Sequence, residues 1–347
     1  MRAVVVTPGV PDSAALVELP EPQRTEGEVL VRGRAVGICG TDAEIIAGEY
    51  GAAPPGEAQL ILGHESLGEV LEAPPGSGFA AGDLVAGIVR WPDPVPCPNC
   101  AAGEWDMCRN GRFTEHGIKE RHGFLAERWQ LPPDRLVRVD RALGELGVLL
   151  EPTSIVAKAW DHVERIAARS RWRARKVLVT GAGPIGLLAA LLGLQRGLDV
   201  HVLDHNEDGP KPGLVRDLGA AYHTSDVEHA GRDADVVMEC TAAPALLFEA
   251  MHAPRPNGIV CLLGVSPEGR CASVDAGALN RALVLDNNVV FGSVNANRAH
   301  WDAAAEALGR ADRSWLARVV TRTVPLDRWR EALRREEGDV KVVVSLG

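Results

Sequence analysis

The sequence predicts an α/β protein that combines a partly open β-barrel with a doubly wound parallel sheet. Two observations predict this class. Short alternating runs broken by Gly and Pro fill the first half, and strands alternate with helices from Lys176 onward. The length of 347 residues agrees with two domains, since one domain usually takes about 100–200 residues.

The barrel domain is predicted from short apolar runs joined by tight turns. Strand patterns cover residues 3–6, 29–36, 67–72 and 84–89. Short strands with Gly and Pro turns between them are typical of a compact, partly open barrel. A last strand over residues 340–344 is expected to return to this domain.

A helix over residues 149–169 marks the change between domains, because apolar residues recur there at helical spacing. Beyond it, alternating strands and helices imply a parallel sheet covered on both faces. We therefore expect a barrel domain over residues 1–154 and 296–347, and a parallel-sheet domain over residues 155–295. The predicted strands are 177–179, 200–203, 236–238 and 259–263, and the predicted helices are 187–195, 245–251 and 301–308.

The composition excludes several kinds of partner and location. The formal net charge of −10 repels phosphate backbones, so we expect no nucleic-acid partner. No apolar run reaches the roughly 20 residues of a membrane span, and the first residues predict a strand instead of a signal peptide. We therefore expect a cytoplasmic protein without membrane contact, whose seven cysteines are thiols, metal ligands or core residues.

A glycine-rich turn predicts a dinucleotide site. It lies between a strand and a helix and reads Gly181-Ala182-Gly183-Pro184-Ile185-Gly186. In such a turn the first glycine permits the tight bend, the second lets the backbone approach a pyrophosphate, and the third lets the helix pack closely. The helix N-terminus then offers free N–H groups to the phosphates.

The next strand ends in Asp204, 18 positions beyond Gly186, where a carboxylate accepts the ribose hydroxyls of a dinucleotide. A carboxylate there repels a 2′-phosphate and favours NAD. His205 and Asn206 follow, and Lys211 lies close in sequence. The sequence therefore predicts an NAD preference with some activity on NADP.

A set of thiol, imidazole and carboxyl side chains predicts a metal site. Cys39-Gly40-Thr41-Asp42 follows a strand-like run, Gly63-His64-Glu65 comes next, and Glu151-Pro152 lies further on. Each residue alone is typical of a structural role. Together they offer the ligands that zinc takes at an open, catalytic site, where it acts as a Lewis acid.

In this order, these motifs and the glycine turn resemble those of zinc-dependent medium-chain dehydrogenases. Within that superfamily, the chain resembles the glucose dehydrogenase branch. The segments that carry this resemblance are Gly37-Ile38-Cys39-Gly40-Thr41-Asp42, Leu62-Gly63-His64-Glu65 and Gly292-Ser293-Val294-Asn295. The resemblance covers essentially the whole chain. It implies a GroES-like catalytic barrel, a Rossmann domain, and hydride transfer from a carbinol carbon to C4 of a nicotinamide.

The resemblance also implies roles for residues of the metal site. Cys39 and His64 are expected to hold zinc, Glu65 to be a ligand or a partner through water, and Glu151 to approach the metal directly or through water. Thr41 is expected to hydrogen-bond the substrate hydroxyl and pass its proton outward. Asp42 is expected to orient His64.

A cysteine lobe is implied by Cys97, Cys100 and Cys108, which match the last three cysteines of a four-cysteine zinc lobe in such dehydrogenases. The first cysteine of that pattern falls on Pro94, which cannot bind metal. Asp93, one residue away, is the candidate fourth ligand, and Asp106 is a poorer candidate. The alternative is a metal-free lobe with three buried thiols.

Further residues are implied for cofactor and substrate. Cys240, Thr241, Gly264, Val265, Ser293, Val294 and Asn295 are expected beside the cofactor, and Thr41, Glu115, Glu151 and Asn295 are expected at the substrate. Val89, Ile155 and Leu285 fall where some sugar-oxidising relatives carry Asn, Asp and His. Apolar groups cannot bind sugar hydroxyls, so this difference weakens the expectation of glucose itself.

The function expected from these residues is oxidation of a secondary or anomeric sugar hydroxyl with zinc and NAD(P). One alternative is the same chemistry on a cyclitol, a polyol or a less polar alcohol in specialised metabolism. Another is a non-catalytic NAD(P)-binding regulator on a dehydrogenase fold. A zinc-free quinone reductase is disfavoured by the ligand set. The resemblance further suggests a homodimer or homotetramer.

Overall fold

The computed structural model describes residues 1–23, 25–266 and 269–347. The strands, in chain order, are β1 (Arg2–Val6), β2 (Ala15–Glu18), β3 (Val29–Ile38), β4 (Leu60–Ile61), β5 (Glu65–Glu72), β6 (Leu84–Gly87), β7 (Arg90–Trp91), β8 (Thr114–His116), β9 (Glu120–Arg121), β10 (Arg128–Leu131), β11 (Leu136–Arg138), β12 (Lys176–Thr180), β13 (Asp199–Leu203), β14 (Ala221–His223), β15 (Val236–Glu239), β16 (Ile259–Leu262), β17 (Val289–Gly292), β18 (Val320–Pro325) and β19 (Lys341–Ser345). The helices are α1 (Gly40–Ile46), α2 (Pro98–Ala101), α3 (Leu150–Ala167), α4 (Pro184–Gln195), α5 (Pro210–Leu218), α6 (Val227–Ala230), α7 (Pro244–His252), α8 (Ala276–Leu285), α9 (Arg298–Arg310), α10 (Arg313–Val319) and α11 (Trp329–Leu333).

The elements form two units, which we call the first unit (Met1–Ser154 with Ala296–Gly347) and the second unit (Ile155–Asn295). No helix in the described parts of the chain is both long and apolar enough to cross a bilayer.

The first unit is built around the long strand β3. In the described residues it belongs to a seven-stranded sheet with the order β11-β6-β5-β3-β19-β18, and β10 also pairs with β3. Alternate residues of β3 such as Val29 and Val31 are fully buried, as the two-residue period of a strand requires. The last strand, β19, pairs antiparallel with β3, with Val342 opposite Ile38. This pairing brings the end of the chain beside the residues that precede Cys39.

The second unit contains a parallel sheet, six-stranded in the described residues, with the order β14-β13-β12-β15-β16-β17. Its central strands are buried on both faces: Val177, Leu178 and Val179 have no exposed surface. The strand order reverses between β12 and β15. Ligands of open parallel sheets bind at such a reversal, at the carboxyl ends of the strands. The predicted doubly wound sheet is confirmed.

Candidate active site

The site in the first unit starts from Cys39, which follows β3 and caps the N-terminus of α1. Its Sγ accepts a hydrogen bond from the Thr41 backbone N–H at 3.3 Å. In return, the Asp42 carboxylate accepts from the Cys39 backbone N–H at 3.0 Å, which completes a capping box. The cap fixes the direction of the Cys39 thiol. Its Sγ lies 3.0 Å from Nε2 of His64.

His64 lies between β4 and β5 and is buried. Its Nδ1 faces Oδ1 of Asp42 at 3.5 Å, so the ring stands between a thiol and a carboxylate. Burial alone would lower the pKa of His64, but the negative charges of Cys39 and Asp42 outweigh burial and raise it well above its usual value. The surroundings of the imidazole therefore favour a positive charge at this point.

Glu65 is the first residue of β5, and its buried carboxylate is held by Lys341. The Lys341 Nζ lies 2.6 Å from Oε1 and 2.5 Å from Oε2 of Glu65, and it also donates to the carbonyl of Ile38 at 3.0 Å. Gly37 makes room for this carboxylate, because a Cβ on Gly37 would lie 2.0 Å from Oε2. Lys341 was not among the predicted site residues, although a lysine at the start of an apolar strand was a visible signal.

Glu151, in the first turn of α3, is also buried. Burial raises the pKa of Glu151 to about 8; Glu65 and Asp42 add to the rise, and His64 and Lys341 oppose it. The predicted residues Asp42, His64, Glu65 and Glu151 therefore form one electrostatic cluster.

The donor set of this cluster fits zinc. One ligand atom each of Cys39, His64 and Glu65 lies within 4.8 Å of the others. Two ligands bound to one zinc ion at about 2.0–2.3 Å cannot be more than about 4.6 Å apart, so only small shifts are needed. Sulfur, imidazole nitrogen and carboxylate oxygen are ligands that zinc accepts. Glu151 is not part of this close group.

The cysteine lobe brings three sulfur atoms together. Cys97, Cys100 and Cys108 place their Sγ atoms within 4.8 Å of one another. Hydrogen bonds from the backbone N–H groups of Arg109 and Cys100 lower the pKa of the Cys97 thiol to about 6. Burial raises the pKa of Cys100 to about 11. One thiol in the lobe is thus stabilised as a thiolate.

Asp93, the predicted fourth ligand of the lobe, is not part of this group. Its Oδ2 accepts from the Asn110 side chain at 2.8 Å, and its Oδ1 accepts from the Val95 backbone N–H at 2.8 Å. Because both oxygens already have donors, the carboxylate is oriented within its own loop. In the described residues the structure therefore assembles three of the four predicted lobe ligands.

In the second unit, the glycine turn lies at the carboxyl end of β12. Gly181 has φ +88°, a conformation that favours glycine, and Pro184 begins α4 directly after Gly183. A Cβ on Gly186 would lie 1.8 Å from the carbonyl oxygen of Gly181. Glycine at position 186 is therefore required for this close packing. Ile185 lies in the first turn of α4, as the motif predicts.

Asp204 follows β13 and is tied to the glycine turn. Its Oδ2 accepts from the Ala182 backbone N–H at 2.7 Å, and its Oδ1 accepts from the Asn206 backbone N–H at 3.0 Å. The Nζ of Lys211 lies 3.0 Å from the same Oδ2 and 2.9 Å from the Asn206 side-chain oxygen. Burial would raise the pKa of Asp204, but these donors and Lys211 hold it below its usual value. Its negative charge is thus offset by an adjacent ammonium.

A pocket opens beside this carboxylate, within the second unit. Its lining residues are Gly181, Leu203, Asp204, His205, Thr224, Ser225, Thr241 and Leu246. Four predicted cofactor residues therefore share one concave surface: Gly181 from the turn, Asp204 and His205 after β13, and Thr241.

The other group of predicted cofactor residues, which includes Thr241, follows the carboxyl ends of three neighbouring strands. Cys240 and Thr241 follow β15, Gly264 and Val265 come after β16, and Ser293, Val294 and Asn295 come after β17. Asn295 has φ +63°, and the buried Lys158 donates from Nζ to the Val294 carbonyl at 2.8 Å. Sequence reasoning missed two buried residues at these strand ends. They are Lys158, which bonds the Val294 carbonyl, and Glu239, which is the last residue of β15.

The predicted substrate residue Glu115 is buried on β8 and bound to Arg90. Both Nε and Nη2 of Arg90 lie 3.0 Å from Oε1 of Glu115. Of the residues expected to differ from sugar-oxidising relatives, Val89 is buried and Leu285 is 61% exposed at the end of α8.

Comparisons with known proteins agree with this geometry. Residues 25–141 match the model of the alcohol dehydrogenase GroES-like domain, and residues 144–346 match that of the glucose dehydrogenase C-terminus. The chain is 39% identical over 358 residues to glucose 1-dehydrogenase from Methanocella arvoryzae, covering 100% of both. It is 40% identical over 353 residues to glucose 1-dehydrogenase from Thermoproteus tenax, covering 100% of this chain and 99% of the relative.

Among solved structures, Haloferax mediterranei glucose dehydrogenase in complex with NADP, Zn and gluconolactone has a TM-score of 0.91 to this chain. The sequence identity is 33%, and the match covers 100% of this chain and 99% of the other.

A sulfur, nitrogen and oxygen donor set in one unit and a glycine turn on a parallel sheet in the other define a medium-chain dehydrogenase. Within this class, the chain belongs to the zinc-dependent glucose dehydrogenase family. The predicted fold class and the predicted resemblance are confirmed. The roles of individual site residues stay predictions.

Proposed function

We propose that this chain is a zinc- and NAD(P)-dependent dehydrogenase that oxidises the anomeric hydroxyl of an aldose to a lactone. In this reaction the hydride on C1 moves to C4 of the nicotinamide, and the hydroxyl proton is released. The single observation that carries the proposal is the close group of half-buried Cys39 with buried His64 and Glu65, in which Cys39 Sγ lies 3.0 Å from His64 Nε2. The bound ligands of the Haloferax relative support the choice of zinc, nicotinamide and sugar.

Cys39, His64 and Glu65, with Glu151 beside them, are the residues we propose to hold zinc. When bound, zinc supplies a Lewis acid that stabilises negative charge as it develops on the reacting hydroxyl oxygen. Asp42 is proposed to orient the His64 ring, since its Oδ1 faces Nδ1 at 3.5 Å while Nε2 faces the Cys39 sulfur. Lys341 holds the Glu65 carboxylate in place. These contacts pre-orient the donors before substrate arrives.

Thr41 is proposed to bind the substrate hydroxyl and pass its proton outward. It is held in the first turn of α1, and its backbone N–H donates to the Cys39 sulfur. The hydroxyl of Thr41 therefore starts from a backbone position fixed by a proposed zinc ligand. As it accepts the substrate proton, Thr41 gives up its own hydroxyl proton outward to solvent, and positioned proton transfer contributes about 100- to 10,000-fold to a rate.

Both NAD and NADP are proposed as cofactors. The Asp204 carboxylate accepts hydrogen bonds from the glycine turn, which suits a ribose site, but Lys211 compensates its charge at 3.0 Å. Repulsion of a 2′-phosphate is thereby reduced. The predicted NAD preference stays a prediction, and the Haloferax relative has NADP bound.

The substrate is proposed to be a small sugar, with Glu115 as one of its acceptors. Arg90 fixes the orientation of this carboxylate, so it is pre-arranged for a hydroxyl donor. The apolar side chains of Val89 and Ile155 argue for an aldose whose recognition differs from that of glucose itself. A homodimeric or homotetrameric state and a cytoplasmic location remain predictions.

The test is a rate survey with purified chain over aldoses, cyclitols, polyols and simple alcohols, read by NADH or NADPH absorbance. We expect aldoses to be oxidised fastest. Two zinc ions per chain would support metal in the cysteine lobe, whereas one would leave that lobe metal-free. Cys39→Ser tests the proposed metal site. This variant should abolish turnover and leave dinucleotide binding within about twofold, since Cys39 lies outside the second unit. Binding of NAD(P) without turnover on any alcohol would instead support a regulator.

A further inference from the structure

Glu239 is a fully buried carboxylate at the end of β15, one of the two strands that border the reversal in strand order. No Lys, Arg or His nitrogen of the described residues lies within 4.0 Å of it. Burying a carboxylate destabilises the folded state unless its oxygens accept hydrogen bonds. The donors that bond Glu239 therefore indicate its role.

Neutral donors on two strand ends fill these acceptors. Oε1 accepts from the Thr180 hydroxyl at 3.3 Å, from the Thr241 backbone N–H at 2.8 Å and from the Thr241 hydroxyl. Oε2 accepts from the Ala242 backbone N–H at 3.4 Å. The carboxylate therefore joins the end of β12 to the loop that follows β15.

The third strand end is joined through the backbone of Glu239. Its carbonyl accepts from the backbone N–H groups of Leu263 and Gly264, at 2.8 and 3.1 Å. A Cβ on Gly264 would lie 2.3 Å from the Ala242 nitrogen, so only glycine allows the two loops to approach this closely. One residue thus connects the ends of β12, β15 and β16.

The loop that Glu239 holds is in a conformation it would rarely adopt alone. Ala242 has φ +59°, where the Cβ of an L residue is crowded. Its carbonyl accepts from the Ser266 hydroxyl at 2.7 Å, and the Ala243 N–H donates to the Thr241 hydroxyl at 3.0 Å. The bonds from Thr241 and Ala242 to Glu239 complete this network.

The held loop lies against the glycine turn. A Cβ on Gly181 would lie 2.9 Å from Cγ2 of Thr241, and both residues line the pocket beside Asp204. We propose that Glu239 is a positioning residue for the dinucleotide: it fixes Thr241 and Ala242 at the carboxyl edge of the sheet, in the geometry that accepts the cofactor. This inference rests on the proposed function, because it assumes that the pocket takes NAD(P).

The test compares direct binding of NADPH by the purified full chain, followed by fluorescence titration. Glu239→Gln keeps the size of the side chain but replaces one acceptor oxygen by a donor, which then faces an N–H group. We expect the Kd for NADPH to rise about tenfold, since bonds to a charged acceptor are lost. The KM for the sugar at saturating cofactor and the zinc content should stay within about twofold.

Glu249→Gln is the matched control, because Glu249 is exposed on α7 and the chemical change is the same. Its Kd should equal that of the unmodified chain. Thr180→Val is a second variant with a milder change, since it removes one donor to Glu239 at nearly constant shape. We expect its Kd to rise about two- to fivefold.

The outcomes separate the two proposals. If the unmodified chain binds NADPH and both Glu239→Gln and Thr180→Val bind it equally well, the positioning role is wrong and the proposed function stands. If the unmodified chain binds neither NADPH nor NADH, both proposals are wrong. If Glu239→Gln does not fold, Thr180→Val decides alone. A rise in Kd with an unchanged sugar KM supports the inference, because general destabilisation would not produce that split.

Discussion

Removal of the Lys341 ammonium is expected to destabilise the first unit strongly. Lys341 is 2% exposed, and its Nζ lies 2.6 and 2.5 Å from the two oxygens of Glu65. Lys341→Met preserves the length of the side chain and its packing against neighbours, because methionine is flexible and adapts to irregular space. The substitution therefore removes mainly the charge and the hydrogen bonds.

The expected magnitude follows from the burial of both partners. Removing one member of a buried ion pair leaves the other charge uncompensated, which costs about 3–5 kcal/mol. In a unit of roughly 200 residues, each kcal/mol lowers the Tm by about 2–4 °C. Lys341→Met should therefore lower the Tm of the metal-free chain by about 6–20 °C.

The assay is thermal unfolding of metal-free protein, followed by circular dichroism. The double variant Glu65→Gln/Lys341→Met should recover at least half of the loss, because it removes the unpaired charge as well. Lys119→Met is the control: Lys119 is partly exposed and its Nζ donates to a neutral carbonyl, that of Gly111. A Tm for Lys341→Met within about 2 °C of the unmodified chain would refute the reasoning. So would a double variant as unstable as the single one.

Two further predictions concern pH and cofactor choice. His116 accepts from the Trp91 Nε1–H at 2.9 Å and donates from Nδ1 to the His122 carbonyl at 2.6 Å, and burial lowers its pKa to about 3. An unfolded His titrates near 6.5, so the free energy of unfolding should fall by about 1.4 kcal/mol per pH unit as the pH drops from about 6.5 towards 3, and His116→Gln should remove this contribution in urea titrations. Lys211→Met leaves Asp204 without its ammonium, so the ratio of kcat/KM for NADP to that for NAD should fall about tenfold in initial-rate assays. An unchanged ratio would contradict the proposal that Lys211 reduces the repulsion between Asp204 and a 2′-phosphate.

Much of the fold follows from local patterns in the sequence. The run predicted over residues 29–36 is strand β3 (Val29–Ile38), and the glycine turn lies between β12 and α4 as its motif requires. Helix α4 begins at Pro184, three residues before the first predicted helical residue, because proline is favourable in the first helical turn. The short helix α1 was not predicted, since its cap is a cysteine sulfur.

The contacts behind the proposed ligands could not be predicted from local patterns. Lys341 meets Glu65 across 276 positions of sequence, through the pairing of β19 with β3. Glu239 ends an apolar strand, where an acidic residue usually indicates a solvent-facing turn. Its burial depends on three strand ends that meet only in the folded sheet. The ligand types were thus visible in sequence, but the residues that orient them required the structure.

The position of β19 has a consequence for biosynthesis. This strand lies between β3 and β18, so the central sheet of the first unit lacks an interior strand until residues 341–345 have left the ribosome. The second unit is continuous in sequence and has no such dependence. During translation we therefore expect the middle of the chain to complete its native pairing first. Until β19 is made, residues 35–38 of β3 keep one edge unpaired, open to chaperones or to association with other nascent chains.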